Sequence, residues 1–343
     1  MFLTFLLLFG LIGTPVASPV TVESAPDWAV PLGTGAAVEP LIAGELVIVA
    51  GNNRTVYAMD IETGENVWSS AIFEPAASTM VVHGDTLLVP SNGGALLVLS
   101  LETGEMLDTV VLGTDPLREP VVVDGSIVVA DGRGTVWILD GETLEVRSTQ
   151  VIAGGVTDLE AVDSTVIVAG SDATIHAIDI ESTDMLWETV TSAPVALMEA
   201  TDDGAIVLGL EGGDVLTLSA GDGTTLWHQI PAANKLFDVA FADESILGIT
   251  SGGDIYALNP EDGNTLWQSV VATNGWFASD RCDTSCMVVQ ADGTGSTLIA
   301  GDGSLSPVHF VTQAISHEPV ADDSSLVIVT AEGDVLRWTL SGE

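Results

Sequence analysis

The stretch Thr55-Val56-Tyr57-Ala58-Met59-Asp60 decides the fold, because the chain writes it eight times. Close copies are Gly134-Thr135-Val136-Trp137-Ile138-Leu139-Asp140 and Asp254-Ile255-Tyr256-Ala257-Leu258-Asn259. The Tyr57 position is taken in turn by Leu97, Trp137, His176, Leu216, Tyr256, Thr297 and Leu336, at intervals of 40, 40, 39, 40, 40, 41 and 39. Such a period signals a repeat architecture. A second apolar strand precedes each copy, centred on Ile48, Leu88, Val128, Ile167, Val207, Leu247, Val288 and Ile328. Turn residues such as Gly51-Asn52-Asn53, Asn92-Gly93-Gly94 and Gly252-Gly253 separate the two and supply the positive φ angles hairpins need. A Thr-Gly or Asp-Gly turn follows, then a strand that carries Trp68, Trp187, Trp227 or Trp267.

Four short strands per forty residues, with no helical period after the leader, describe a propeller blade. Near-continuous apolar runs such as Leu46-Val47-Ile48-Val49-Ala50 suit sheets covered on both faces. A solenoid would need capped ends. Here the last repeat stops at Glu343, after its third strand, while Trp28 precedes Trp68 by 40 residues. The segment around Trp28 therefore supplies the missing fourth strand. The expected fold is all-β: one eight-bladed β-propeller of four-stranded blades over residues 25–343, closed by its N-terminal strand.

Composition narrows the function. With 47% hydrophobic and 16% charged residues there is ample material for a core. Seven basic residues against 49 acidic ones give a net charge of −42, which removes nucleic acid as a partner. Self-repulsion of this size weakens as salt shortens the Debye length from roughly 10 Å at 0.1 M to about 3 Å at 1 M. A saline, halophilic or marine setting is expected.

The run Met1-Phe2-Leu3-Thr4-Phe5-Leu6-Leu7-Leu8-Phe9-Gly10-Leu11-Ile12 has the length of a signal-peptide core and is short for a membrane span. Cleavage after Ala17, Ser18 or Ser24, or retention as an anchor, defines a leader over residues 1–24. That leader is the chain's single link to a membrane and implies a secreted, periplasmic or cell-surface location. In an exported protein Cys282 and Cys286 form a short-loop disulfide, with free thiols as the alternative. Asn53-Arg54-Thr55 is a formal glycosylation sequon.

The pattern Ala58-x-Asp60-x-x-Thr63-Gly64-x-x-x-Trp68 resembles the repeat of pyrroloquinoline-quinone-type propellers, with looser copies at Ala257, Asn259, Gly263, Trp267 and at Ala177, Asp179, Trp187. The resemblance implies one of two branches. Quinone-dependent dehydrogenases of this kind have longer chains and adjacent cysteines, unlike Cys282 and Cys286. Members similar to the assembly factor BamB are non-enzymatic and match in length and blade number, although the lipoprotein cysteine is missing here.

Searches for chemistry return little. Phosphate loops, nucleophile elbows and histidine metal spacings are absent from the sequence. Trp28, Trp68, Trp187, Trp227 and Trp267 fall on the repeat and read as blade packing. About nine residues before the Ile48-type centres lie Glu39, Glu119, Asp158, Asp238 and Glu318, with Thr79 and Ser279 in two other blades. As starts of innermost strands, these carboxylates are candidates for an acidic ring at one channel mouth, taking a cation such as Ca2+ or a basic peptide. The bland alternative is that acidic residues are simply common in this chain. The expected function is a non-enzymatic scaffold for protein partners, monomeric or within an envelope assembly, with no resident cofactor and no role for pyrroloquinoline quinone. A quinone- or metal-dependent oxidoreductase using the channel, or a surface carbohydrate binder marked by clustered exposed aromatics, are the alternatives.

Overall fold

The computed structural model describes residues 21–22, 25–201, 203–231, 234–242, 244–279, 281–282, 284–310, 313–315, 317–322 and 324–341. Apart from Thr21–Val22, the leader lies outside the described residues. Eight sheets, antiparallel apart from one short parallel pairing, follow one another along the chain. Blade 1 consists of Leu41–Ala43, Leu46–Gly51, Thr55–Asp60 and Asn66–Ala71, ordered from the axis outward. Blades 2 to 7 repeat this order over 81–111, 121–151, 156–190, 195–229, 236–270 and 275–309, and blade 8 spans 320–341. The second and third strands are buried on both faces, as the apolar runs require. Val320–Ala321 of blade 8 contacts Leu41–Ala43 of blade 1, so the ring is closed.

Closure uses the chain's other end. Trp28–Pro31 pairs antiparallel with Asp334–Ser341, the third strand of blade 8, with Trp28 opposite Arg337 and Pro31 opposite Asp334. Thr21 and Val22 extend the same edge opposite Ser341 and Leu340, ahead of the domain start expected at residue 25. At the Arg337 position the other blades carry Ala58, Val98, Ile138, Ala177, Thr217, Ala257 and Leu298, all buried. Arg337 is also buried, with 4% of its surface exposed. Its Nη1 lies 2.7 Å from Asp27 Oδ2 and its Nη2 lies 3.4 Å from Glu62 Oε1 in blade 1. Its Nε donates to Ser325 Oγ at 3.2 Å. Asp27 in turn accepts the backbone N–H of Thr339 at 2.6 Å. One guanidinium thus joins the closing strand, two strands of blade 8 and the first blade.

The repeat-phase tryptophans make the inter-blade seams. Each indole Nε1 donates to a carbonyl thirty-three residues later, in the next blade. Trp28 reaches Ile61 at 2.9 Å, Trp68 reaches Leu101 at 3.0 Å, Trp187 reaches Ala220 at 2.8 Å, Trp227 reaches Pro260 at 2.7 Å and Trp267 reaches Ala300 at 2.8 Å. The ring lies over the turn glycine of that blade, namely Gly64, Gly104, Gly223, Gly263 and Gly303, where a Cβ would collide with the indole. Blades 2 and 3 have Asp108 and Ser148 in the tryptophan position. One blade further on, the glycine position is then Leu144 or Thr183, at φ 59° and 60°. Glycine is present where an indole must approach and is replaced where none does. The uncovered seams use other groups: His83 Nε2 donates to Gly141 O at 3.1 Å and Gln150 Nε2 to Thr183 O at 2.8 Å.

Every outer edge carries a device against further pairing. In blades 1 to 6 the outer strand is bulged at Val67, Leu107, Arg147, Leu186, Leu226 and Leu266, each skipped in the register with the third strand. Blades 7 and 8 have no bulge there but place Pro307 and Pro31 in the edge strand. Bulges twist an edge away, and proline removes a donor.

Cys282 and Cys286 form a disulfide. It lies in the inner hairpin of blade 7, where Arg281–Cys282 runs parallel to Phe241–Ala242 of blade 6.

Two stability outcomes follow. Asp27→Asn leaves the buried Arg337 guanidinium short of its main counter-charge and costs about 3 kcal/mol, whereas Arg337→Met leaves only the solvent-exposed carboxylates of Asp27 and Glu62 and costs about 1 kcal/mol, measured by urea unfolding. Gly263→Ala costs about 3 kcal/mol in the native chain but roughly half that in a Trp227→Ala background, because the collision with the indole is then gone.

Candidate functional site

Proline decides which of the carboxylates reach the axis. Three of them stand in Glu-Pro pairs, Glu39-Pro40, Glu119-Pro120 and Glu318-Pro319. Proline cannot donate to a ladder, so the inner strand starts after it, at Leu41, Val121 and Val320. Upstream, a single bridge pins each segment, as Ala36 to Gly51, Leu117 to Asp131 and Ile315 to Thr330. The glutamate between bridge and proline is left outside the ladder. Thr79 occupies the same position in blade 2, with Ala76 bridged to Ser91.

These side chains meet in one cavity. About 380 Å3 in volume, it is lined by Glu39, Thr79, Glu119, Glu199, Ser279 and Glu318, together with the adjoining prolines and apolar strand residues. Six of the eight blades contribute, which places the cavity on the propeller axis. Glu39 Oε2 accepts from Thr79 Oγ1 at 2.8 Å, across the seam between blades 1 and 2. Its Oε1 lies 4.0 Å from His317 Nδ1, whose other nitrogen donates to Ala36 O at 3.1 Å.

Asp158 and Asp238 are not among the residues that line this mouth. Blades 4 and 6 have no proline at this point, and their inner strands are continuous over Val156–Val162 and Leu236–Ala242. A bulge precedes each aspartate. Asp238 is buried and ties two blades: Oδ1 accepts from Val239 N at 2.7 Å and Oδ2 from Phe277 N of blade 7 at 2.7 Å. Asp158 accepts from Leu159 N at 2.9 Å and from the backbone of Met198 in blade 5. Burial pushes its carboxyl up to about 6, against the pull of those two N–H groups and of Arg118. The five predicted carboxylates thus divide into three at the mouth and two seam staples.

Glu199, which the repeat phase did not single out, joins the mouth from Val195–Ala200, the unbroken inner strand of blade 5. Among the described residues no three His, Cys, Asp or Glu side chains are placed to hold a metal ion. The glutamates come from different blades, so the backbone spreads them around the axis. Pyrroloquinoline quinone is a tricarboxylate, and a mouth walled by four glutamates opposes it by like charge, so these residues do not fit that group. Phe73 is the one aromatic among the strongly exposed hydrophobic residues described, while the half-buried rings of Phe237 and Trp276, on the inner strands of blades 6 and 7, pair at 5.4 Å.

In sequence, the chain matches the family described as outer membrane protein assembly factor BamB over residues 23–119, 106–237 and 152–342. The chain belongs to this family of PQQ-like propellers. No curated protein matches it. Among solved structures this BamB-family chain is similar to BamB from Moraxella catarrhalis, with a TM-score of 0.74, 18% identity and coverage of 93% of this chain and 99% of that one. The computationally designed Ika8 protein superposes with a TM-score of 0.82 at 15% identity, covering 93% and 100%. The C-terminal WD40 domain of Sif2 reaches 0.78 at 10% identity, covering 95% and 100%. These likenesses show the fold.

Asp158 sets a pH dependence. Its folded pKa of about 6 exceeds the unfolded value of about 3.9, so between pH 4 and 6 the native state holds a proton the unfolded state lacks. Stability from this group therefore falls as pH rises through that window, by on the order of 2 kcal/mol. Turn aspartates such as Asp60, whose pKa is lowered by hydrogen bonds from Thr63, act with the opposite sign at lower pH. Urea unfolding of Asp158→Asn between pH 4.5 and 7 should lack the decline seen in the native chain.

Proposed function

We propose that this chain is a secreted or cell-envelope β-propeller that acts as a non-catalytic scaffold for protein partners, with its axial mouth receiving a basic segment. One observation carries the reading: four glutamates and two hydroxyl side chains from six blades converge on a single cavity. A focused negative potential of this kind raises the local concentration of positively charged ligands and speeds their encounter. The family's description as an assembly factor supports a binding role. The net charge of −42 adds long-range attraction for basic partners, graded by salt.

The test is capture of envelope proteins on the immobilised chain, compared with the triple variant Glu39→Gln, Glu119→Gln, Glu318→Gln. Specific capture should fall at least fivefold in the variant and decline with added salt. Equal capture by both would remove the mouth from the reading. Substrate-dependent dye reduction after reconstitution with pyrroloquinoline quinone would replace the scaffold with an oxidoreductase.

A further inference from the structure

A second cavity, of about 300 Å3, opens between blades 5 and 6, away from the axis. Asp254, Tyr256, Gln268 and Val270 line it from the third and fourth strands of blade 6, and Pro231 and Asn234 from the segment arriving from blade 5. Tyr256 pairs with Gln268 and Asp254 with Val270 across the two strands. Strand alternation puts these four on one face of the sheet.

The repeat supplies its own comparison, because the same strand positions recur one and two blades earlier. In blade 5 the Asp254 position is Asp214 and the Gln268 position is His228, whose Nε2 lies 2.6 Å from Asp214 Oδ1. In blade 4 the Tyr256 and Gln268 positions are His176 and Glu188, with Nδ1 and Oε2 3.6 Å apart. Both blades set an imidazole against a carboxylate. Blade 6 keeps the carboxylate and replaces the imidazole with a neutral amide. Gln268 Nε2 points instead to Pro231 O, at 3.3 Å. Asp254 Oδ2 receives long hydrogen bonds, from Thr250 Oγ1 at 3.3 Å and Asn234 Nδ2 at 3.4 Å. Tyr256 is buried, and its pKa is raised by that burial and then by the charge of Asp254.

We infer that the blade 5–6 cleft is a binding site for a cationic side chain, lysine or arginine, contributed by a protein partner, whose charged head takes the place that His228 fills in blade 5. Val270 and Pro231 give the aliphatic stem an apolar wall, while Asp254 meets the charge and the Tyr256 hydroxyl and Gln268 carbonyl are further acceptors. A buried charge pair needs such additional hydrogen bonds to offset desolvation. The inference deepens the scaffold reading by naming the chemistry of a second anchor, distinct from the axial mouth.

Amide NMR shifts test it in 0.5 M salt, with N-acetyl-lysine methylamide and N-acetyl-arginine methylamide as probes and N-acetyl-norleucine methylamide as the uncharged control. Saturable shifts at residues 254–256 and 268–270, for at least one cationic probe and not for norleucine, are expected. Asp254→Asn, checked for native fold by its amide spectrum, should weaken that binding at least fivefold. His228→Gln should create a second responding cleft at 214–216 and 228–230. Binding unchanged in Asp254→Asn, equal response to norleucine, or shifts spread evenly over the acidic surface would each overturn the site. Because the probes are isolated amino-acid derivatives, their failure leaves envelope capture at the axial mouth standing, and loss of capture there leaves the cleft standing.

Discussion

A ring of sheets holds only as well as its weakest junction, and here that junction is the one between the two ends of the chain. Seven of the eight sheets are each complete from consecutive chain. The eighth needs a strand delivered from more than three hundred residues away, at a large cost in loop-closure entropy. Arg337 is the response to that constraint. A buried guanidinium has no place in an apolar seam unless its donors are met, and its partners come from the closing strand, blade 8 and blade 1 together. The geometry of the axial mouth depends on this junction, because Glu39 and Glu318 stand on either side of it.

The architecture was legible because it rests on backbone periodicity, which sequence displays directly. Blade number, strand order and the closing role of Trp28 all follow from the forty-residue beat. The site was only partly legible. Phase alone grouped Glu39, Glu119, Asp158, Asp238 and Glu318, yet phase says where a residue begins a strand and not which way its side chain turns. The residue that follows decides that: proline after Glu39, Glu119 and Glu318 interrupts the ladder, whereas Leu159 and Val239 continue it and send the preceding aspartates into the seams. Glu199 lay outside the phase and was missed. The pairing of tryptophans with next-blade glycines was present in the sequence at a spacing no local motif captures, since the partners sit in different repeats.

Charge and packing divide the molecule between them. The interior has few buried ionic groups: Asp238 and Arg337 fasten one blade to the next, while Asp131 caps a turn within its own blade. The acidic excess sits at turns and loops, where aspartates such as Asp60, Asp140, Asp179 and Asp222 accept hydrogen bonds from a nearby Thr or Ser and are held ionised below the usual carboxylate range. The same residues that shape the turns therefore also supply the surface charge.

The consequence of the bulges and prolines along the outer rim depends on ionic strength. In dilute buffer a charge of −42 keeps copies of the chain apart without assistance. In brine that barrier shrinks to a few ångströms, while hydrophobic contact strengthens in excluded salts, and leucines such as Leu107 and Leu226 stand half exposed on the rim. Backbone shape does not respond to counterions. A rim that is unable to accept another strand protects the molecule from fibrous association under the very conditions in which its charge no longer does.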